Sequence, residues 1–246
     1  LIGCANNRQK NISDNNLTSN IETKIVRTVI PFTGDFCHIT NMGCINIEFT
    51  TGPCGIVVEG PEQLVKIVNA SVDCGVLMLS LSHELDQDVQ IFQGNHDITA
   101  YISCPQLKTL AIGGIGTFHS SSKILTDDIT IGTMSTSNIT IDSLECNSLR
   151  YEILSKGNCS ISNLHTKTDC SIISSDKGMC AFNNIEIEGT LTIDDVVGSN
   201  IYCRGKTANL VINNQGDGLC KFEGSFATKS ISKGPKAQIE VNGLLH

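Results

Sequence analysis

From about Leu110 to Val241 the apolar and polar residues repeat one short pattern: two apolar residues spaced by two, a turn with a small residue, and a second such pair, with a period near twenty residues. The first pairs are Leu110/Ile112, Ile129/Ile131, Tyr151/Ile153, Ser171/Ile173, Leu191/Ile193 and Leu210/Ile212, and their second members lie 19, 22, 20, 20 and 19 residues apart. The second set keeps step: Phe118, Ile139/Ile141, Cys159/Ile161, Cys180/Phe182, Ile201/Cys203, Cys220/Phe222 and Ile239/Val241. A spacing of two places both members of a pair on one side of a strand, the inward side. The small residue falls at Gly116, Ser137, Gly157, Gly178 and Gly218, with Gly198 one place early. A tight turn with positive φ is the expected reason. A weaker ladder, Leu144, Leu164, Ile185/Ile187 and Phe226, adds a third side to each repeat.

Twenty residues cannot bury an apolar face alone, whereas stacked repeats share a continuous core and pair their backbones with the repeats above and below. The pattern therefore predicts an all-β fold, a three-sided β-solenoid with coils of about twenty residues. At about 4.8 Å per coil, six or seven coils make a rod roughly 30 Å long. A leucine-rich repeat has a similar period, but its leucine and asparagine signature is absent and β-branched pairs dominate. Residues 25–246 read as one solenoid domain, with opening coils at 25–106 and regular repeats at 107–246.

Residues 1–24 differ. Leu1-Ile2-Gly3-Cys4 matches the end of a bacterial lipoprotein signal, with Cys4 as the lipidated residue, and the Asn-rich stretch after it reads as a flexible tether. Two acyl chains on Cys4 would hold the protein at a membrane. Ala5 fits outer-membrane sorting, so the chain is expected to be an exported outer-membrane lipoprotein, facing either the periplasm or the surface. No stretch is apolar enough to span a bilayer as a helix. The formal charge of −8 is spread along the chain and argues against a nucleic-acid partner.

Twelve cysteines raise the question of disulfides or metal. No Cys-x-x-Cys pair occurs, and the nearest two, Cys37 and Cys44, lack zinc-ligand spacing. Cys159, Cys180, Cys203 and Cys220 take inward positions otherwise filled by Ile or Phe. Buried thiols acting as small hydrophobes are the leading reading there, with stacked disulfides or a metal as alternatives. Free thiols on an exported protein would imply a reducing habitat.

Outward positions of the second strands form a mixed polar stripe: Asp142, Ser162, Asn183, Arg204, Glu223 and Asn242 beside Thr140, Ser160, Ala181, Tyr202, Lys221 and Glu240. Tyr202, Arg204, Lys221 and Glu223 are its most ligand-like group, although opposite charges on adjacent coils also arise as simple cross-strand pairs. Asp176, Asp194 and Asp195, together with Asp217, are weak candidates for calcium; a stacked Asn/Asp/Ser ladder that satisfies turn backbone is the competing account. Gly114 and Gly116 sit between strands and open no dinucleotide-binding helix. The six histidines are scattered, and no cofactor is implied.

In the first half, Arg27-Thr28-Val29, Pro31-Phe32-Thr33-Gly34, the run Gly43 to Pro53, Val57-Val58-Glu59-Gly60 and Pro105-Gln106-Leu107 follow in an order that, with the repeats, resembles the putative auto-transporter adhesin, head GIN domain family of Bacteroidetes lipoproteins. The family typically repeats Ser-Gly-Ala-Ser in its turns, where this chain has Gly113-Gly114-Ile115-Gly116 and Ser155-Lys156-Gly157-Asn158. The resemblance implies a right-handed β-helix of pectin-lyase-like architecture and an adhesin-like role. A fold licenses no activity by itself. The function expected is a non-catalytic, lipid-anchored envelope module that binds a glycan or an envelope protein, or serves as a scaffold. The alternative is a polysaccharide-active β-helix lyase or hydrolase. The end at 243–246 looks poorly protected, which raises self-association through the solenoid ends.

Overall fold

Alternating β-branched residues make strands whose inner positions close on a common core. A computed structural model describes residues 24–82 and 98–245; Cys4 and the tether lie outside them. Apart from one helical turn at Glu62–Val65, the regular elements are strands. One side of the solenoid stacks Val76–Leu81, His38–Asn41, Thr109–Ile112, Asp128–Thr133, Ser148–Ile153 and Cys170–Ser174 in parallel, followed by the later parts of the long strands Met179–Asp195, Asn200–Asn214 and Leu219–Lys233. The second side stacks Thr99–Cys104, Asn46–Thr51, Thr117–Ser120, Asn138–Cys146 and Asn158–Thr166, then the first parts of the same long strands and Gln238–Leu245. These second strands bend onto a short third side, where Ile124, Leu144, Leu164 and Ile185 align.

The second-strand ladder is in the register its sequence predicts. Ile139, Cys159, Cys180, Ile201 and Cys220 form one inward column, and Ile141, Ile161, Phe182, Cys203 and Phe222 the next, all at most 2% exposed. The first-strand ladder differs from expectation. Ile131 pairs with Leu110 and Thr133 with Ile112, two places from the predicted alignment. In the next coils Cys170, Ile172 and Ser174 point inward, and Ser171 and Ile173 outward. The reason is that the last inward column on this side is largely polar: Asn41, Ile112, Thr133, Ile153, Ser174, Asp195 and Asn214 are stacked there and fully buried. An apolar-pair search skips such a column.

These polar side chains satisfy the backbone of the following corner. Asn214 Nδ2 donates to Gly218 O at 3.0 Å while its Oδ1 accepts from Gly216 N at 3.0 Å. Asn41 does the same with Ile45 O at 2.7 Å and Gly43 N at 3.1 Å. Asp195 Oδ1 accepts from Gly198 N and Ser199 N at 3.0 and 3.1 Å, but its buried Oδ2 has no partner.

Most of the corner glycines have a different cause from the one expected. Gly116, Gly157, Gly178 and Gly218 do not have positive φ. They are small because the preceding coil is against them: a Cβ on Gly218 would lie 2.0 Å from Ser199 O, and one on Gly157 2.8 Å from Thr133 Cβ. Positive φ holds as expected at Gly198 (135°), and it also occurs at Gly205 (145°) and Gly224 (148°), which stack with Gly243 where the second side turns into the third.

Chain order and coil order diverge in the first half. The coil made by His38–Asn41 and Asn46–Thr51 lies between the coil of Val76–Leu81 and Thr99–Cys104 and that of Thr109–Ile112 and Thr117–Ser120. Antiparallel strands cover this end: Val68–Asp73 on one side, and Gly55–Pro61 followed by Ile25–Val29 on the other. At the opposite end Lys229 and Lys233 occupy the columns of Leu210 and Asn214, and Ile231 in the column between is 42% exposed. Lys229 Nζ lies 5.7 Å from the centroid of the Phe226 ring. Inward-phase lysines on a terminal strand oppose stacking of another sheet edge, so end-to-end association here would have to bury two ammonium groups.

Two measurements test this description. Asp195→Asn should replace the orphaned oxygen with an amide that can bond a corner carbonyl as Asn41 and Asn214 do, and should stabilise the fold in urea by about 1 kcal/mol, whereas Asp195→Ala strands two buried amides and should cost about 2 kcal/mol. All eleven described cysteines are free thiols. Burial pushes Cys146 and Cys220 up to about 12 and Cys159, Cys170, Cys180 and Cys203 well above the ordinary thiol value. A raised thiol pKa means the reactive thiolate appears only at strongly alkaline pH, so these six should resist alkylation at pH 8 until denaturant is added, as read by intact mass.

Candidate functional site

The outward stripe changes character where the coil loses a residue. In three successive coils two residues join the second side to the third: Asp142-Ser143, Ser162-Asn163 and Asn183-Asn184. In the next coils a single residue does so, Arg204, then Glu223, then Asn242, and glycine replaces the leucine or isoleucine beyond it. The register shift falls between Phe182 and Ile185, with Asn184 at a φ of 43° absorbing the extra residue. A shallow recess of about 180 Å³ lies at this step, lined by Asn183, Tyr202, Cys203, Arg204, Lys221 and Glu223.

All four residues singled out from the sequence therefore meet in one depression. Tyr202 pairs with Lys221, and Arg204 with Glu223, across adjacent coils. Lys221 Nζ lies 2.8 Å from Glu223 Oε1 and 3.8 Å from Glu240 Oε2. The Lys221 ammonium, helped by the Arg204 charge, holds the Glu223 carboxyl below the usual range, and Glu223 in turn raises Lys221. The pair is open to solvent and contributes little to stability. Among the described residues Arg204 makes no ion pair within 4.0 Å, and Tyr202 is 38% exposed. Asn183, missed in the sequence-derived group, enters only because the register shift brings it beside the shortened turn.

Chemically the recess offers a guanidinium, a phenol ring, an amide and an internally neutralised Lys–Glu pair. Glycoside hydrolysis by the usual route needs two carboxyl groups about 5 to 9.5 Å apart, one of them protonated. Glu223 is the one carboxylate in this lining, and its neighbours favour the ionised form.

The calcium candidates are placed apart in orientation. Asp194 faces outward and Asp195 inward, as alternation along a strand requires. Asp176 Oδ1 accepts from Lys177 N at 2.7 Å, its carbonyl accepts the Ser199 hydroxyl at 2.6 Å, and Asp217 pairs with Lys177 at 3.3 Å. No cluster of three or more metal-ligating side chains occurs among the described residues. His119 Nδ1 lies 2.8 Å from Glu48 Oε2, and His165 Nε2 lies 3.1 Å from Glu188 Oε1, both at the surface.

Comparison with known proteins agrees with the architecture. A structure described as a putative adhesin from Bacteroides fragilis NCTC 9343 superposes with a TM-score of 0.72 at 20% identity, covering 90% of this chain and 97% of that one. A putative adhesin from Parabacteroides distasonis ATCC 8503 gives 0.68 at 17% identity, covering 91% and 98%. A protein of the same organism described as a putative lipid binding protein gives 0.59 at 15%, covering 88% and 96%. At these identities the likeness is one of fold. A comparison with curated proteins finds no match. The model of the family described as "Putative auto-transporter adhesin, head GIN domain" matches residues 35–243, most of the chain, and this protein belongs to that family.

Proposed function

We propose that the protein is a non-catalytic binding module of the cell envelope, anchored through lipidated Cys4, and that it holds an acidic glycan in the recess around Tyr202 and Arg204. The observation that carries this reading is a guanidinium without an ion-pair partner among the described residues, beside an exposed tyrosine ring. The lining has two cations, Arg204 and Lys221, against one carboxylate, Glu223, so it carries a net +1 on a chain of formal charge −8. A sugar ring can lie on the tyrosine face, and a planar guanidinium suits a sugar carboxylate through paired hydrogen bonds. Asn183 supplies an amide for hydroxyl groups. Membership of an adhesin-named family and similarity in fold to proteins described as putative adhesins support binding to something external. Two acyl chains on Cys4 would present the module from a membrane.

Binding to immobilised glycans with and without uronate or sialate groups tests the proposal. Acidic glycans should bind, Arg204→Ala should weaken that binding by tenfold or more, about 1.4 kcal/mol, and Tyr202→Ala should do likewise. Equal retention of neutral glycans, or indifference to both substitutions, would remove the recess from the function. New reducing ends or unsaturated sugars released from polysaccharides would replace the reading with that of an enzyme. Cys4→Ser should move the protein from the membrane fraction to the soluble one.

A further inference from the structure

Three thiols gather where antiparallel strands cover the first end of the solenoid, and two of them are cross-strand neighbours. Gly55–Pro61 runs antiparallel to Thr99–Cys104 with Val58 opposite Ala100, Ile56 opposite Ile102 and Gly55 opposite Ser103. Continued by one residue, this register sets Cys54 opposite Cys104. Both fall in the inward phase of Ile56, Ile102, Val58 and Ala100, which are at most 1% exposed. Residues directly opposite in an antiparallel pair have Cα atoms about 4.5 or 5.5 Å apart, and both values lie in the range that a disulfide spans.

A recess borders the pair. Cys54 Sγ donates weakly to Phe36 O at 3.6 Å, and Cys104 Sγ to Gln106 O at 3.3 Å. Phe36 and Gln106 both line a mainly apolar recess of about 200 Å³, together with Asp35, Cys37 and Pro105. Cys104 is fully buried and Cys54 half-buried. Cys37 stands close enough to Cys104 to disfavour its ionisation, as Cys54 does more strongly.

We propose that Cys54 and Cys104 form a dithiol site whose substrate is an external disulfide. The Cys54 thiolate attacks one sulfur of R–S–S–R, forming Cys54–S–S–R and expelling RS⁻. The Cys104 thiol then releases its proton to solvent, and its sulfur attacks the Cys54 sulfur, forming the Cys54–Cys104 bond as the bond to R breaks and a second RS⁻ leaves. The two protein thiols lose two protons and two electrons, and the external disulfide becomes two thiols. Cys54 leads because it is the more accessible, while burial pushes Cys104 up to about 12 and keeps it protonated until its partner sulfur is already activated. The new bond ties the covering strand Gly55–Pro61 to the coil beneath it.

The test is to reduce the full-length protein, titrate it with oxidised glutathione, quench by alkylation and map peptides after unfolding and digestion with chymotrypsin, whose cuts after Phe49, Leu64 and Tyr101 separate Cys54 from Cys44 and Cys74, and Cys104 from Cys74. A linked pair containing Cys54 and Cys104 is expected, reversed by dithiothreitol, lost in Cys54→Ser and retained in Cys37→Ser. Cys104→Ser should trap glutathione on Cys54. Exposed Cys74 serves as the internal control for exchange. A link made through Cys37, or Cys54 and Cys104 still separately alkylated once Cys74 carries glutathione, would overturn the proposal. Retained protection of the six core thiols identifies variants that have folded.

Discussion

Parallel, in-register pairing of the backbone between successive coils is the constraint on which the rest of this structure depends. It places corresponding residues of neighbouring coils about 4.8 Å apart, so each side chain is judged chiefly against those above and below it in its column. Apolar columns gain continuous contact under that rule. Polar columns survive only if each member finds a bond along the stack or in its own turn, as in the 2.8 Å contact from Asn158 Nδ2 to Asn138 Oδ1. Glycine columns mark where the backbone of one coil touches the next. The same rule makes the ends distinctive, since a terminal coil has a neighbour on one side only. Antiparallel strands meet that need at one end, and lysines in core columns blunt the other.

The inner columns show how far the rule extends into the core. The corner column running through Asn41, Thr133, Ser174, Asp195 and Asn214 is buried in full, yet it faces turn amides and carbonyls that would otherwise lack partners. Its hydrogen bonds set the corner, and the corner sets the start of the second side. Cysteine in the neighbouring apolar columns behaves differently. Cys159 and Cys180 stack beside each other as small hydrophobes, with burial holding their thiols protonated.

This division explains what could be read from the amino-acid order. The second-strand columns were legible because Ile, Phe and Cys recur at inward positions without interruption. The first-strand columns slipped because Thr133, Ser174 and Asp195 take inward places that an apolar search assigns to solvent. Glycine at the corners was legible as a requirement, but except at Gly198 its cause lay in the preceding coil and not in local φ. The first half was recognisable as part of the repeat family, but its path was hidden: antiparallel covering strands follow no twenty-residue period, and an inserted coil breaks the link between chain order and stacking order. Tyr202, Arg204, Lys221 and Glu223 were legible as a group because outward alternation exposes them on adjacent coils. The recess that unites them with Asn183 was not, because it depends on a one-residue shortening visible only in register.

Breaks in the repeat decide where chemistry can arise in such a molecule. A perfectly regular solenoid presents the same environment along each column, with flat faces and matched neighbours, and offers few places where a side chain lacks a partner. Departures from the repeat create them. The shortened turn at Arg204 leaves a guanidinium in a depression without an ion pair among the described residues, and the antiparallel pairing of Gly55–Pro61 with Thr99–Cys104 brings Cys54 near Cys104. Both features are made by residues ordinary for their columns. Their chemistry follows from the break in stacking, which is why neither is announced by a motif and why the register of the sheet is the better guide to function here.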